Sequence, residues 1–175
     1  MRRMLIVAML FTLASANARA ETPSPRLLAL DFEIVDTSNE PGDKRADHAR
    51  RLRLVRDWIA TELDARKIYK NIDIGRVRAK LDAILAGQYL RTCNGCELDL
   101  ARDVDADFVL LGKFNKISTL IGTLDLLIRD AKTGEVVQAR TLGFRGDTDQ
   151  AWLRAASFYV GEIARDGAPG VKRTP

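Results

Sequence analysis

Two cysteines separated by two residues are the side chains of this sequence whose type and spacing point most directly to chemistry. They form the segment Cys93-Asn94-Gly95-Cys96, and the chain contains no other cysteine. Thiol–disulfide exchange uses this spacing, with one thiolate stabilised at a helix N-terminus. A carboxylate at Glu97, however, would raise the pKa of a neighbouring thiol. We therefore predict a structural disulfide between Cys93 and Cys96, and a redox-active pair is the alternative.

The same cysteines do not complete a metal or haem site. Attachment of c-type haem requires a histidine after the second cysteine, where Glu97 stands. A tetrahedral zinc site requires two further ligands, and His48 is the only histidine of the chain. With no other histidine, we expect neither a histidine-based catalytic triad nor a histidine general base. We predict no metal, no cofactor and no catalytic residues.

The segment GDTDQAW, residues 146–152, is the second candidate. Asp147 and Asp149 beside Trp152 could form a surface patch that a partner protein binds. Alternatively, Asp147 caps the last helix, Gln150 completes a capping box and Trp152 is buried. Both interpretations stay open at this point.

Two charged stretches have a simpler interpretation. Carboxylates that could offer oxygen ligands to a hard cation follow the first predicted strand, but their spacing does not match a calcium-binding loop; they are Asp31, Glu33, Asp36, Glu40 and Asp43. The sequence HARRLR at residues 48–53 is basic, with acidic residues interleaved nearby. We interpret the first stretch as a solvated loop and the second as a solvated helix face.

The first twenty residues have the pattern of a secretory signal peptide. Two arginines precede an uncharged apolar stretch, and Ala18-Arg19-Ala20 is the small-x-small pattern that favours cleavage after Ala20. The apolar stretch is shorter than the roughly 20 residues that span a bilayer. We expect a periplasmic protein with no membrane span in its mature chain.

Cleavage changes the charge argument. The full chain has 28 basic and 24 acidic residues, and residues 1–20 hold three arginines and no acid. The mature chain would therefore carry 25 basic and 24 acidic residues. This near-neutral balance does not favour a nucleic-acid partner.

Hydrophobic periodicity predicts the elements that position these residues. Alternating or continuous apolar runs predict strands at 27–35, 68–74, 107–116, 120–129 and 135–144. Apolar residues at three- and four-residue intervals predict helices at 46–66 and 76–85, a short helix at 96–104, and a last helix after Asp147. The order predicts one α/β domain over 27–165, between a flexible leader (21–26) and a disordered tail (166–175). We expect a two-layer sandwich in which long helices pack on a mixed sheet with an antiparallel C-terminal hairpin.

Three segments carry a family resemblance. LLALDFEIVDTS, ADFVLLGKFNKIS and LDLLIRDAKTGEVV resemble the small N-terminal α/β domain of TolB and the related periplasmic domain of CsgG-type secretion proteins. The CNGC and GDTDQAW elements resemble an uncharacterised family of exported proteobacterial proteins. The resemblance implies a periplasmic α/β domain with no assigned activity. The chain lacks the lipidation cysteine and long hairpin of the secretion proteins, so pore formation is not expected.

These observations predict a non-catalytic periplasmic protein that binds another protein of an envelope-associated system. The first alternative is a thiol–disulfide protein that uses Cys93 and Cys96. The second is a carrier of a small ligand or a metal.

Overall fold

Six strands form one mixed sheet in the computed structural model, which describes residues 23–171. The sheet order is β3-β1-β4-β5-β6, and β2 pairs with the second half of β4. The first three strands run parallel to their neighbours, whereas β4, β5 and β6 are antiparallel. The strands are β1 (Arg26–Ala29), β2 (Glu33–Asp36), β3 (Lys70–Ile72), β4 (Phe108–Lys116), β5 (Ile121–Asp130) and β6 (Val136–Arg145).

Two long helices cover one face of this sheet. The helices are α1 (Arg45–Ala65), α2 (Arg78–Leu85), α3 (Cys96–Asp103) and α4 (Asp149–Asp166), with short 3₁₀ turns at Ile74–Val77 and Leu90–Thr92. The larger core lies between the sheet and helices α1 and α4, where the predicted stripe of the last helix is buried, including Trp152 and Tyr159. This arrangement confirms the predicted two-layer α/β sandwich.

The opposite face of the sheet is only partly covered. Helices α2 and α3 form a smaller core there over β1, β3 and the first half of β4, built around Leu28, Leu81, Leu100 and Val109. Beyond this core, the outward-facing residues of β5 and β6 are half-buried or exposed, among them Leu127, Ala139 and Thr141. The open half of this face forms the floor of the groove described below.

The ends of the predicted domain differ slightly from those in the structure. The predicted signal peptide lies outside the described residues. Arg26, assigned to the flexible leader, is the first residue of β1. The predicted tail begins inside α4, and the Tyr69 hydroxyl donates a hydrogen bond of 2.7 Å to the carbonyl oxygen of Pro169.

The predicted continuous strand over 27–35 is wrong, because a bulge divides it. Ala29 pairs with Leu110 and Glu33 pairs with Lys113. The three residues 30–32 therefore lie opposite only two residues of β4, 111 and 112. The extra residue turns the Phe32 ring onto Gly112, where an added Cβ would lie 2.4 Å from the ring. Periodicity does not reveal the bulge, since it depends on this close approach between two strands.

We expect Gly112→Ala to lower the free energy of unfolding by about 1–3 kcal/mol, because the methyl group overpacks the Phe32 ring. Gly143→Ala on β6 is the matched control, since an added Cβ there meets nothing within 4 Å. Urea unfolding of both variants measures the difference. Equal free energies of unfolding for the two variants would contradict the packing argument. The same loss of stability from Gly112→Ala when Phe32 is also replaced by alanine would contradict it too.

Candidate functional site

A disulfide between Cys93 and Cys96 forms a tight loop at the start of α3. The two Cα atoms lie 5.6 Å apart, and Asn94 and Gly95 both adopt positive φ angles, of 50° and 106°. Helix α3 begins at Cys96, as the sequence predicted. Both cysteines pack against the smaller core. The loop therefore has a fixed place on the partly covered face of the sheet.

The buried carboxylate of Glu97 holds this loop in place. Glu97 is only 3% exposed and forms an ion pair with Arg129 of β5. Arg129 also donates hydrogen bonds of 3.0 and 2.7 Å to the carbonyl oxygen of Gly134, in the turn before β6. These contacts connect the disulfide loop to the β5–β6 hairpin.

The contact between Glu97 and the disulfide bears on the redox alternative. A carboxylate oxygen of Glu97 lies 3.3 Å from Sγ of Cys93. In the reduced protein this negative charge would disfavour a thiolate at Cys93. Donor atoms of Cys93, Cys96 and Glu97 lie within 4.8 Å of one another, but the two sulfurs are bonded to each other and would have to be reduced before binding a metal.

A groove of about 690 Å³ lies beside the loop on the open half of the sheet. We call it the sheet groove. Its floor is formed by β4, β5 and β6, including Leu111, Leu127 and Ala139, and Asn94 and Gly95 stand at its rim. Charged side chains of both signs line it: Asp31, Glu33, Glu97, Asp125, Arg91, Lys113, Arg129 and Arg140.

Most of these charged side chains form ion pairs or hydrogen bonds within the protein. Glu33 accepts a hydrogen bond of 2.7 Å from the backbone N–H of Leu90 and forms an ion pair of 2.9 Å with Arg91. The Arg91 guanidinium stacks over the Tyr89 ring at 3.9 Å. The groove thus has a preorganised polar wall, and Tyr89 is 56% exposed beside it.

Asp125 is the centre of a polar row across the groove floor. Lys113, Asp125 and Thr141 lie opposite one another on three adjacent strands. Asp125 accepts hydrogen bonds of 2.8 Å from both Asn115 and Thr141 and forms an ion pair of 3.1 Å with Lys113. Burial raises the pKa of Asp125, but these interactions outweigh it and hold the pKa below its usual value. Asp125 therefore stays ionised near neutral pH.

A second group of charges lies where β2 and β4 end and α1 and α4 begin. We call it the ionic cluster: Asp36, Glu40, His48, Arg51, Lys116 and Asp147. Lys116, with a side chain 5% exposed, lies 2.9 Å from Asp147 and 3.9 Å from Asp36, and also pairs with Glu40. Asp147 further contacts His48 at 3.0 Å and Arg51 at 2.7 Å.

Asp147 and Lys116 keep their charges through these contacts. Burial raises the pKa of Asp147, but hydrogen bonds from Lys116 and His48 lower it below the ordinary value. Burial lowers the pKa of Lys116, and its hydrogen bonds to Glu40 and Asp147 raise it further than burial lowers it. The cluster therefore joins two helix starts and two strand ends.

The predicted capping role of Asp147 is wrong. Thr148 is the N-cap of α4, and its hydroxyl accepts a hydrogen bond of 3.2 Å from the backbone N–H of Ala151. Because Thr148 satisfies the helix start, Asp147 is free to enter the ionic cluster. The capping box with Gln150 is consequently absent from this helix start.

The three residues of the predicted partner-binding patch have different environments. Trp152 is 1% exposed and stacks on Phe114 with ring centroids 3.9 Å apart. Asp147 is half-buried in the cluster, whereas Asp149 has a side chain 41% exposed and binds Arg50 and Arg51. A role of this patch in partner binding stays a prediction, with Asp149 as its surface-exposed carboxylate.

The two stretches interpreted as solvated are corrected by the structure. His48 is 3% exposed, so the helix face at residues 48–53 is not fully solvated. Each acidic residue of the loop over 31–43 is paired with a base, although the pair of Asp43 and Arg45 remains solvent-exposed; the pairs are Asp31 with Arg56 and Arg78, Glu33 with Arg91, Asp36 and Glu40 with Lys116, and Asp43 with Arg45. One signal was available, since Lys116 falls on the apolar side of the alternating pattern of β4.

No helix among residues 23–171 combines the length and apolarity needed to cross a membrane. A family model described as "Protein of unknown function (DUF2380)" matches residues 25–163. The chain belongs to this family. This match confirms the prediction that the chain belongs to a family without an assigned activity. A search of curated proteins found no match.

The fold of the DUF2380 chain is similar to that of several solved structures. Lipoprotein GNA1162 from Neisseria meningitidis is 14% identical, with 79% of this chain and 96% of that chain covered and a TM-score of 0.53. LpoB from E. coli is 16% identical, with 74% and 60% covered and a TM-score of 0.50. TolB from Acinetobacter baumannii is 10% identical, with 86% and 31% covered and a TM-score of 0.45. The first two similarities establish a common fold.

Proposed function

We propose that the chain is a non-catalytic binding protein of the cell envelope, and that its sheet groove holds a segment of a partner protein. The observation that carries this proposal is the uncovered half of the sheet, with its groove of about 690 Å³ beside the disulfide loop. An open sheet face with fixed charges and an exposed aromatic side chain suits protein recognition. Its ion-paired carboxylates and bases serve to orient a partner rather than to transfer protons.

Two observations support a place in the envelope. A disulfide such as that between Cys93 and Cys96 persists in oxidising compartments, including the periplasm. The fold is shared with a protein described as a lipoprotein. Together with the predicted cleavage after Ala20, they support a periplasmic location for the mature chain.

Photo-crosslinking in cells that export the full-length chain tests the binding role. A photoreactive amino acid is placed at Ala139, which is exposed on the groove floor. Ala164 is the matched control, since it is an exposed alanine of α4 outside the sheet groove. We expect a discrete protein adduct from position 139 and none from position 164. Adducts at equal yield from both positions, or none from position 139, would contradict the proposal.

A thiol–disulfide exchange protein is the second candidate, favoured by one observation. Cys96 is the first residue of α3 and is half-buried rather than fully buried, and the positive end of a helix stabilises a thiolate. The neighbouring carboxylate of Glu97 opposes this effect. The reduction potential separates the two functions, as described in the Discussion.

A small-ligand carrier is the third candidate. The volume of the sheet groove falls within the range of about 300–1,000 Å³ that is usual for small-molecule sites. A small molecule retained by the purified protein in native mass spectrometry, together with no protein adduct from position 139, would favour this candidate over protein binding.

A further inference from the structure

The outer edge of β6 is the longest free strand edge in the part of the chain that the structure describes. β6 has ten residues and is the last strand of the sheet order. The other outer strands are much shorter, since β3 has three residues and β2 has four. A free edge presents unpaired N–H and C=O groups that another strand can bind. The sequence VVQARTLGFR of β6 contains no proline or lysine to discourage such pairing.

One face of α4 stands beside this edge and completes a groove. Ala151, Arg154, Ala155 and Phe158 stand at positions i, i+3, i+4 and i+7 of the helix and therefore share that face. With β6 they enclose about 630 Å³, which we call the edge groove. The Phe158 ring is 59% exposed at its side. A strand added to β6 would place alternate side chains against this ring and the two alanines.

The edge groove carries unneutralised positive charge. Arg140, Arg145 and Arg154 line it. Arg140 pairs with Glu162, whereas neither Arg145 nor Arg154 forms an ion pair with any residue in the described range 23–171. Guanidinium groups without carboxylate partners favour a ligand that brings carboxylates of its own.

We propose that the edge groove binds an extended, acidic segment of a partner protein, which pairs with β6 as a seventh strand. Main-chain hydrogen bonds to the free edge supply affinity, and apolar side chains on Phe158 with carboxylates on Arg145 and Arg154 supply selectivity. A second copy of this chain is disfavoured, because two paired β6 edges would bring their arginines together. The two grooves share Arg140 and Thr141 of β6, but the edge groove extends from there onto α4, whereas the sheet groove extends over β4 and β5.

A labelled peptide of about eight residues that repeats Val-Val-Glu-Glu is the probe, since this repeat presents valine and glutamate on both faces of a strand. Its binding to the purified chain is followed by fluorescence anisotropy. We expect Arg145→Glu with Arg154→Glu to weaken binding about tenfold or more. Arg53→Glu with Arg76→Glu is the matched control for net charge, since both arginines are exposed and lie outside the edge groove, and it should leave affinity within about twofold.

Two further measurements test strand pairing itself. Methylation of alternate peptide amides on the pairing side should abolish binding, and amide chemical shifts should change along residues 136–145. Binding that survives this methylation, equal weakening by the two arginine pairs, or shifts confined to the parts of the sheet groove on β4 and β5 would overturn the proposal. Absence of peptide binding, or concentration-dependent pairing of the chain with itself through β6, would also overturn it.

Discussion

Replacing Lys116 with alanine should lower the free energy of unfolding by about 3–5 kcal/mol, the usual cost of removing one partner from a buried ion pair. Lys116 contacts Asp36, Glu40 and Asp147, and its own side chain is 5% exposed. Without the ammonium group these carboxylates, whose side chains are only partly exposed, repel one another. The ends of β2 and β4 and the starts of α1 and α4 would lose their common contact.

Lys113→Ala is the matched control for this variant. Lys113 lies three residues earlier on β4 and also pairs with an aspartate, Asp125, but its side chain is 37% exposed. An exposed pair contributes about 0–1 kcal/mol. Urea unfolding of the two variants gives the comparison. Loss of a similar, small amount of stability in both would contradict a structural role for the ionic cluster.

The second large effect is expected at Asp31, in the bulge between β1 and β2. Its carboxylate binds Arg56 of α1 and Arg78 of α2, and so connects helices that pack on opposite faces of the sheet. Burial raises the pKa of Asp31, but the two arginines lower it below the usual value. Asp31→Ala should cost about 2–4 kcal/mol, because Arg56 is 6% exposed and would keep only one partner.

That remaining partner provides the control. Asp57 also binds Arg56, and its side chain is 63% exposed. Asp57→Ala should therefore change the free energy of unfolding by less than about 1 kcal/mol. Thermal or urea unfolding of the two variants measures the difference between their free energies of unfolding. A cost for Asp57→Ala as large as that for Asp31→Ala would show that the bulge carboxylate is not the main partner of Arg56.

Local periodicity predicted the helices and strands, because an element that buries one face has apolar residues at regular intervals along its sequence. The predicted helix at 46–66 and strand at 107–116 differ by one residue from α1 and β4 at the ends. The C-terminal hairpin followed from alternation and from Gly134, which has a φ of 75° in the turn. The start of α3 at Cys96 was also predictable.

The ionic cluster was not predictable in the same way. Lys116 meets Asp147 and Glu40, which are 31 and 76 positions away along the chain. A single sequence shows which acids and bases are present but not which of them meet. The bulge at Asp31 was missed for a related reason, because it depends on the close approach of Phe32 to Gly112. The N-cap at Thr148 is a local contact, but Asp147 is of an equally suitable capping type, and its place in the ionic cluster depends on distant residues.

Both grooves depend on where the helices leave the sheet uncovered. The sheet groove exists because α2 and α3 cover only β1, β3 and the first half of β4. The alternation of Leu127 with the buried residues Leu126 and Ile128 indicates two faces for β5. It does not indicate that one of these faces stays open, since that depends on tertiary packing.

We propose that this protein binds a partner and does not exchange electrons, and that the Cys93–Cys96 disulfide is structural. The most direct test is the reduction potential of this pair, measured by equilibrating the purified protein in dithiothreitol or glutathione buffers and counting free thiols. We expect the pair to stay oxidised to below about −300 mV, as structural disulfides do. A value between about −270 and −120 mV, the range of thiol–disulfide oxidoreductases, together with a mixed disulfide trapped by Cys96→Ala, would contradict the claim.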